Sequence, residues 1–229
     1  MKKIWLLAIL ASALQSVHAA DLRLGAKELE AVFVPEYNRS FLFCWDIAAS
    51  GNITFNDIYL ARGGIAMGSI DDGFSMKMFA GGEVSPFERL PFSFSLDWKH
   101  GSIDSMEYVS DSLQALVSLK LKRWIISAGP AFRFESFSGS RPVFEPILAA
   151  QVCAFIIDSE TFRLGVKLAN FDSFTSGNFA SYFINVNSLV RLGRNMEIIN
   201  EIDIQQSGSI GLAANFYGLA YRGGVRFLW

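Results

Sequence analysis

Histidine and cysteine are scarce in this 229-residue chain, with two of each. His18 sits within the first twenty residues, so His100 is the single imidazole of the remainder. Cys44 and Cys153 lie far apart inside apolar alternating segments and read as free thiols. No His/Cys cluster exists for a metal centre, and no disulfide framework is offered. Charge is sparse too, with Asp, Glu, Lys and Arg making up 18% of residues. Long apolar runs are missing: beyond residue 20 no stretch of eighteen apolar residues exists, which leaves no candidate for a spanning helix there. Low-complexity tracts, repeats and linkers are absent as well, which points to one domain. Yet 51% of residues are hydrophobic, 14% are aromatic, and mean hydropathy is +0.29. An apolar chain without a spanning helix must place its greasy surface in some other way.

The opening stretch MKKIWLLAILASALQSVHAA has a Lys2-Lys3 head, an apolar stretch from Ile4 to Leu14 and a small-residue pattern at Val17-His18-Ala19. That stretch is too short to cross ~30 Å of hydrocarbon as a helix. It predicts a secretory signal peptide, residues 1–19, cleaved after Ala19 with Ala20 as the alternative, ahead of a domain at 20–229. Removing Lys2 and Lys3 leaves 18 basic against 22 acidic side chains, a net charge of −4. That balance argues against a nucleic-acid partner.

What remains is alternation with a period of two, which only a strand converts into two different faces. In FRLGVKLAN, Phe162, Leu164, Val166 and Leu168 fall on one side, and Arg163, Gly165, Lys167 and Ala169 on the other. LPFSFSLDWK sets Leu90, Phe92, Phe94, Leu96 and Trp98 against Ser93, Ser95, Asp97 and Lys99. LQALVSLKLKR repeats the pattern from Leu113 to Lys122. Turn residues divide the chain into strands near 27–36, 39–49, 53–62, 72–82, 90–99, 111–123, 125–137, 144–157, 161–171, 179–192, 196–205 and 212–229. Tight connections (50–52, 122–123, 158–161, 192–195) alternate with longer ones such as GGIAMGSIDD, HGSIDSMEYVSD and FDSFTSGN. At ~9–11 residues per membrane strand, twelve strands leave roughly seven residues for each connection. The expected fold is all-β, a single transmembrane antiparallel up-and-down β-barrel of 12 strands, with 10 or 8 as alternatives.

Alternation by itself does not say which face points inward. A soluble ligand-carrying barrel keeps its apolar face inside, and a membrane barrel keeps it outside. Length favours the membrane, because these strands commonly run ten residues or more where soluble ones average five or six. Aromatic residues crowd the strand ends (Trp98, Trp124, Phe132, Phe134, Phe171, Phe179, Tyr182, Phe227, Trp229), as girdles at two lipid interfaces require.

The last segment, AYRGGVRFLW, resembles the C-terminal strand of bacterial outer-membrane β-barrel proteins, through Tyr221, Val225, Phe227 and Trp229. The resemblance implies recognition by the barrel-assembly machinery, a lipid environment and a place in the bacterial outer membrane. Trp stands where Phe is commoner, and the parity shifts near Tyr217-Gly218, which predicts a bulge or a hairpin there. In size and layout the chain resembles small barrels of the OmpW/OmpX group, with eight strands, and the KdgM-type channels, with twelve.

Catalysis lacks its usual parts. His100 lies in the loop-like stretch KHGSID with no recognisable nucleophilic arrangement around it, and the Asn-rich Ser/His motif of barrel phospholipases is missing. Asp71-Asp72 reads as a solvated acidic turn, not a metal site. The expectation is therefore no enzyme, cofactor or metal. Informative instead are the polar-face charges: Lys120, Lys122, Arg133, Arg163, Lys167, Arg191, Arg222 and Arg226 against Glu135, Glu197, Glu201 and Asp203. Glu197, Glu201 and Asp203 precede a last strand carrying Arg222 and Arg226, which predicts cross-strand pairing. A surplus of Lys and Arg in a wet bore suits a passive channel for small polar or anionic solutes. A neutralising ladder that plugs the bore suits the alternative, a closed barrel whose loops interact at the surface or which supports the membrane structurally.

Overall fold

The computed structural model describes residues 24–38, 43–56, 58–70, 73–86, 91–170, 182–207 and 215–228. Among them the chain forms β1 (Leu24–Asn38), β2 (Phe43–Phe55), β3 (Tyr59–Ile70), β4 (Gly73–Val84), β5 (Phe92–Ile103), β6 (Tyr108–Lys120), β7 (Trp124–Ser136), β8 (Val143–Asp158), β9 (Phe162–Ala169), β10 (Tyr182–Arg191), β11 (Met196–Ser207) and β12 (Asn215–Leu228). Every strand pairs antiparallel with its sequence neighbours, and β1 also pairs with β12, which closes the sheet on itself. The last strand therefore has a partner on both sides: Phe227 sits opposite Leu29 on β1 and opposite Met196 on β11.

Side-chain parity sorts the residues as period-two alternation requires, with the greasy set outward. Along β5, Ser93 and Asp97 are buried while Phe92, Phe94, Leu96 and Trp98 are exposed. On β7, Ser127, Ala131 and Arg133 are buried between the exposed Trp124, Ile126, Phe132 and Phe134. Phe227, Tyr221 and Leu219 point outward on β12, with Ala220 buried between them. Water-soluble proteins bury apolar groups and expose charges; here the arrangement is inverted. A broad exposed apolar belt of this kind is stable only against an apolar solvent. Inside, two small apolar clusters pack where side chains are short: Ala48, Ala66, Ile199 and Ala220, and Leu116, Ala131 and Ala149.

Two stretches differ from the turn chemistry. Residues 50–52 predict a tight turn, yet they lie inside β2, and the turn falls at 56–58 with Asn56 at φ 51°. The predicted strand 53–62 therefore straddles that turn, and GGIAMGSI, expected as part of a connection, belongs to β3. Its glycines weaken the alternation signal, but the backbone is paired along its whole length with β2 and β4. HGSIDSMEYVSD is mostly strand as well, since only 104–107 connect β5 to β6. With 12 residues in β3 and 16 in β8, the strands absorb residues assigned to loops, and the described loop-end connections are only 104–107 and 137–142. The stretch 171–178 lies outside the described residues.

Irregularities fall where the side chains demand them. Tyr217 is the extra residue of a bulge in β12, since Gln205 pairs with Gly218 and Gln206 with Phe216; the predicted parity shift is a bulge, not a hairpin. A second bulge at Ile156 in β8 turns both Ile156 and Ile157 outward. Pro35, which has no N–H to donate, remains within β1 but leaves positions 34 and 35 without register partners on β12.

Candidate functional site: the barrel interior

The turn end of the barrel carries the connections 56–58, 121–123, 159–161 and 192–195, and the loop end carries 104–107 and 137–142. Between them the inward faces enclose a cavity of about 540 Å³. Its wall includes Arg62, Lys99, Lys120, Lys167 and Arg222 against Glu83, Asp97 and Glu201, a surplus of two positive charges. Hydroxyls and amides fill the spaces between them, among them Ser95, Gln114, Gln151, Asn185 and Asn187.

Cross-strand register decides which charges meet. Glu201 and Arg222 are direct partners of β11 and β12, and Arg222 Nη1 donates to Glu201 Oε2 at 2.9 Å. Glu197 is buried between two arginines: Arg191 Nη2 donates to its Oε1 at 2.9 Å and Arg226 Nη1 to its Oε2 at 3.4 Å. Asp203 accepts from Asn185 Nδ2 at 2.7 Å, and Asn187 donates to Asn185 in turn at 2.7 Å. On the facing wall Arg62 grips Asp97 with both prongs, Nε to Oδ1 at 2.8 Å and Nη2 to Oδ2 at 2.6 Å. The fork fits because Gly81, the register partner of Asp97, leaves the volume of a side chain to the carboxylate. Lys120 pairs with Glu83, and towards the loop end Asp46 accepts from Lys77 at 2.5 Å and from Ser75 at 3.0 Å. Interior ion pairs of this kind fix side-chain positions more than they add net stability.

The expected lumen residues separate into three groups. Lys120, Lys167, Glu201 and Arg222 line the central cavity. Arg163, Arg191, Glu197 and Arg226 gather around a smaller cavity of about 150 Å³ at the turn end, where Arg163 pairs with Asp158 at 2.9 Å. Arg133 and Glu135 lie near the loop end, 3.5 Å apart, with Asp203 buried further along β11. Lys122 is a correction: it belongs to the exposed turn at 121–123, because the strand ends at Lys120. Of the expected terminal signal, Tyr221, Val225 and Phe227 lie on β12, and Trp229 is outside the described residues. Missed by sequence reasoning were Asp46, Arg62, Lys77, Glu83, Asp97 and Lys99, all from β2 to β5. The parity of Asp97 and Lys99 in LPFSFSLDWK carried the signal, whereas Arg62 was hidden in a segment split by a misplaced turn. Cys153 is a free thiol in β8, and among the described residues no His/Cys/Asp/Glu group capable of holding a metal is found.

His100 is a second correction, since it belongs to β5 and not to a loop. The β5–β6 register sets it directly opposite Asp111, and its Nδ1 lies 3.1 Å from Asp111 Oδ1. This pair faces outward, away from the cavity.

An interior of charges and amides inside a closed sheet with a greasy exterior defines a class, the membrane-type β-barrel. No family model and no curated protein matches the sequence. Solved structures do match in fold. A NanC porin aligns with 9% identity and a TM-score of 0.55 over 87% of this chain and 98% of its own. An outer membrane channel from Pseudomonas putida F1 aligns with 12% identity and a TM-score of 0.55, over 90% and 96%. A KdgM porin in complex with disordered oligogalacturonate gives 12% and 0.52, over 87% and 98%. The chain therefore has the fold of outer-membrane β-barrel proteins.

Proposed function

We propose that this chain is an exported outer-membrane barrel of twelve strands, released from its leader at 1–19, whose interior passes small polar solutes with a preference for anions. The observation that carries the reading is the central cavity itself, lined by hydroxyls, amides and five basic against three acidic side chains. Charge rings of this sort select by sign, and the preference rests on the net surplus. The exposed apolar belt supplies the lipid contact, and the β12 sequence supplies the mark for the assembly machinery. Porins share this fold, one of them in complex with an oligogalacturonate, which is in keeping with the reading.

Conductance in planar bilayers tests it. Stepwise openings are expected, with a reversal potential in a salt gradient biased toward anions; Lys99→Glu combined with Lys167→Glu should reverse that bias. A second reading has its own support, because ion pairs pin Arg62, Lys120 and Arg222 to facing carboxylates and so can hold a closed, water-poor bore. Folded protein that gives no openings would favour that closed barrel, with a surface or structural role.

A further inference from the structure

Among the described residues the outward wall carries few charge-bearing groups, and two of them meet near the loop end of the β5–β6 hairpin. Among the described residues, His100 on β5 and Asp111 on β6 are the acid and base sharing the face of Leu96, Trp98 and Leu113. Charged groups facing hydrocarbon are expensive and are retained where they pair or do chemistry. Here they pair: besides the His100 contact at 3.1 Å, Trp98 Nε1 donates to the same Asp111 oxygen at 3.2 Å. The indole and imidazole rings also stack, with centroids 6.0 Å apart. When the Asp111 carboxylate accepts from Nδ1–H, Nε2 is the nitrogen left with a lone pair to act as a general base.

Two residues along β5, on the same face, stands Ser102. Its register neighbours are Met76 on β4 and Val109 on β6, and those of His100 are Met78 and Asp111. Hydroxyl, imidazole and carboxylate thus share one outward patch inside an apolar frame. Side chains two apart on a strand face start about 7 Å apart at their β-carbons, so attack requires a χ1 rotation that turns Ser102 Oγ toward Nε2 while Nδ1 stays on Asp111. Nucleophile, base and orienting acid are recognised by such roles and geometry, whatever their order in the chain.

We infer that Ser102, His100 and Asp111 form an esterase site on the outer wall, acting on the ester-linked acyl chain of a membrane lipid. The substrate class follows from placement: the site opens sideways into the greasy belt, so an ester reaches it with its acyl chain already lying along Met76, Met78 and Leu113. Ser102 Oγ attacks the ester carbonyl and passes its proton to His100 Nε2. The C–O bond to the lipid alcohol breaks, and that oxygen leaves with the same proton. Water then attacks the acyl-serine, giving one proton to Nε2 and releasing the fatty acid, after which Ser102 regains its proton from His100. Ser102 and His100 are the catalytic residues; Asp111 is a positioning residue that fixes the tautomer.

The test uses the full chain folded in mixed micelles with dioleoylphosphatidylcholine, folding being checked by heat-dependent gel migration. Wild type should release fatty acid and be labelled at Ser102 by an alkyl fluorophosphonate, and Ser102→Ala should abolish both. Asp111→Asn should lower hydrolysis at least about a hundredfold, with Asp111→Glu recovering part of it. Since all three side chains face away from the cavity, bilayer conductance of the same variants reads the channel function separately. Folded wild type that neither hydrolyses lipid nor takes label, or a Ser102→Ala variant labelled as strongly as wild type, would overturn the site and leave His100 and Asp111 as an interfacial anchor.

Discussion

The fork between Arg62 and Asp97 is the interior contact whose loss is easiest to size. Its carboxylate side chain is only 4% exposed, whereas the arginine side chain is 35% exposed and keeps water on one side. Arg62→Met therefore removes both prongs and leaves Asp97 buried with a single weak donor, Gln114 Nε2 at 3.5 Å. Removing one partner of a buried pair costs about 3–5 kcal/mol. Because water reaches the arginine side and can partly solvate what remains, the lower end applies, about 3 kcal/mol. Adding Asp97→Asn to the Arg62→Met variant removes the stranded charge and should return most of that loss. The assay is urea unfolding of the refolded protein in lipid vesicles, followed by tryptophan fluorescence, run as a double-mutant cycle. A coupling of about 2 kcal/mol is expected. If the single and double variants unfold at the same urea concentration, the fork carries no energy and the argument for a charge-fixed lumen fails.

Other perturbations separate face from face and contact from contact. Leu96 and Ser95 are neighbours on β5 with opposite directions, so Leu96→Arg should destabilise the folded barrel by about 2–4 kcal/mol in vesicle unfolding while Ser95→Arg should not; equal effects would refute the assigned orientation. Gly81→Val places a branched side chain where the Asp97 carboxylate sits, and folding yield on heat-shift gels should fall sharply, with Gly82→Val, one residue along the same strand, much milder. Arg226→Glu sets a second carboxylate beside buried Glu197 on the closing strand, so its unfolding midpoint should drop well below that of Arg226→Gln.

Much of this architecture was written in local pattern. From residue 92 onward most outward positions are large apolar residues and most inward ones are small, polar or charged, so parity gives strand and face, and sets Glu197 and Glu201 against Arg222 and Arg226. Before that the pattern fades. β3 reads YLARGGIAMGSI, where Gly63, Gly64 and Gly68 add no hydropathy to either face, and the strand exists because β2 and β4 pair with it. Local turn chemistry then favours Ser50-Gly51-Asn52 over 56–58, although Gly51 merely sits opposite Gly63 within the ladder. The site was legible to the same extent. Charges on clean strands were found, Arg62 and Asp46 were not, and the outward meeting of His100 with Asp111 depends on a hairpin register that was hidden because 100–111 reads as a connection.

Closure of β1 onto β12 also governs how the molecule comes apart. In a ring each strand has two neighbours, so peeling one away bares two rows of amide and carbonyl groups in a solvent that cannot satisfy them, at several kcal/mol per group. Half-open states are thereby suppressed, and melting in lipid becomes a single cooperative transition. The seam is its natural starting point, because the break opposite Pro35 divides the pairing into a six-rung zip from Glu28 to Phe33 and a three-rung one from Glu36 to Asn38.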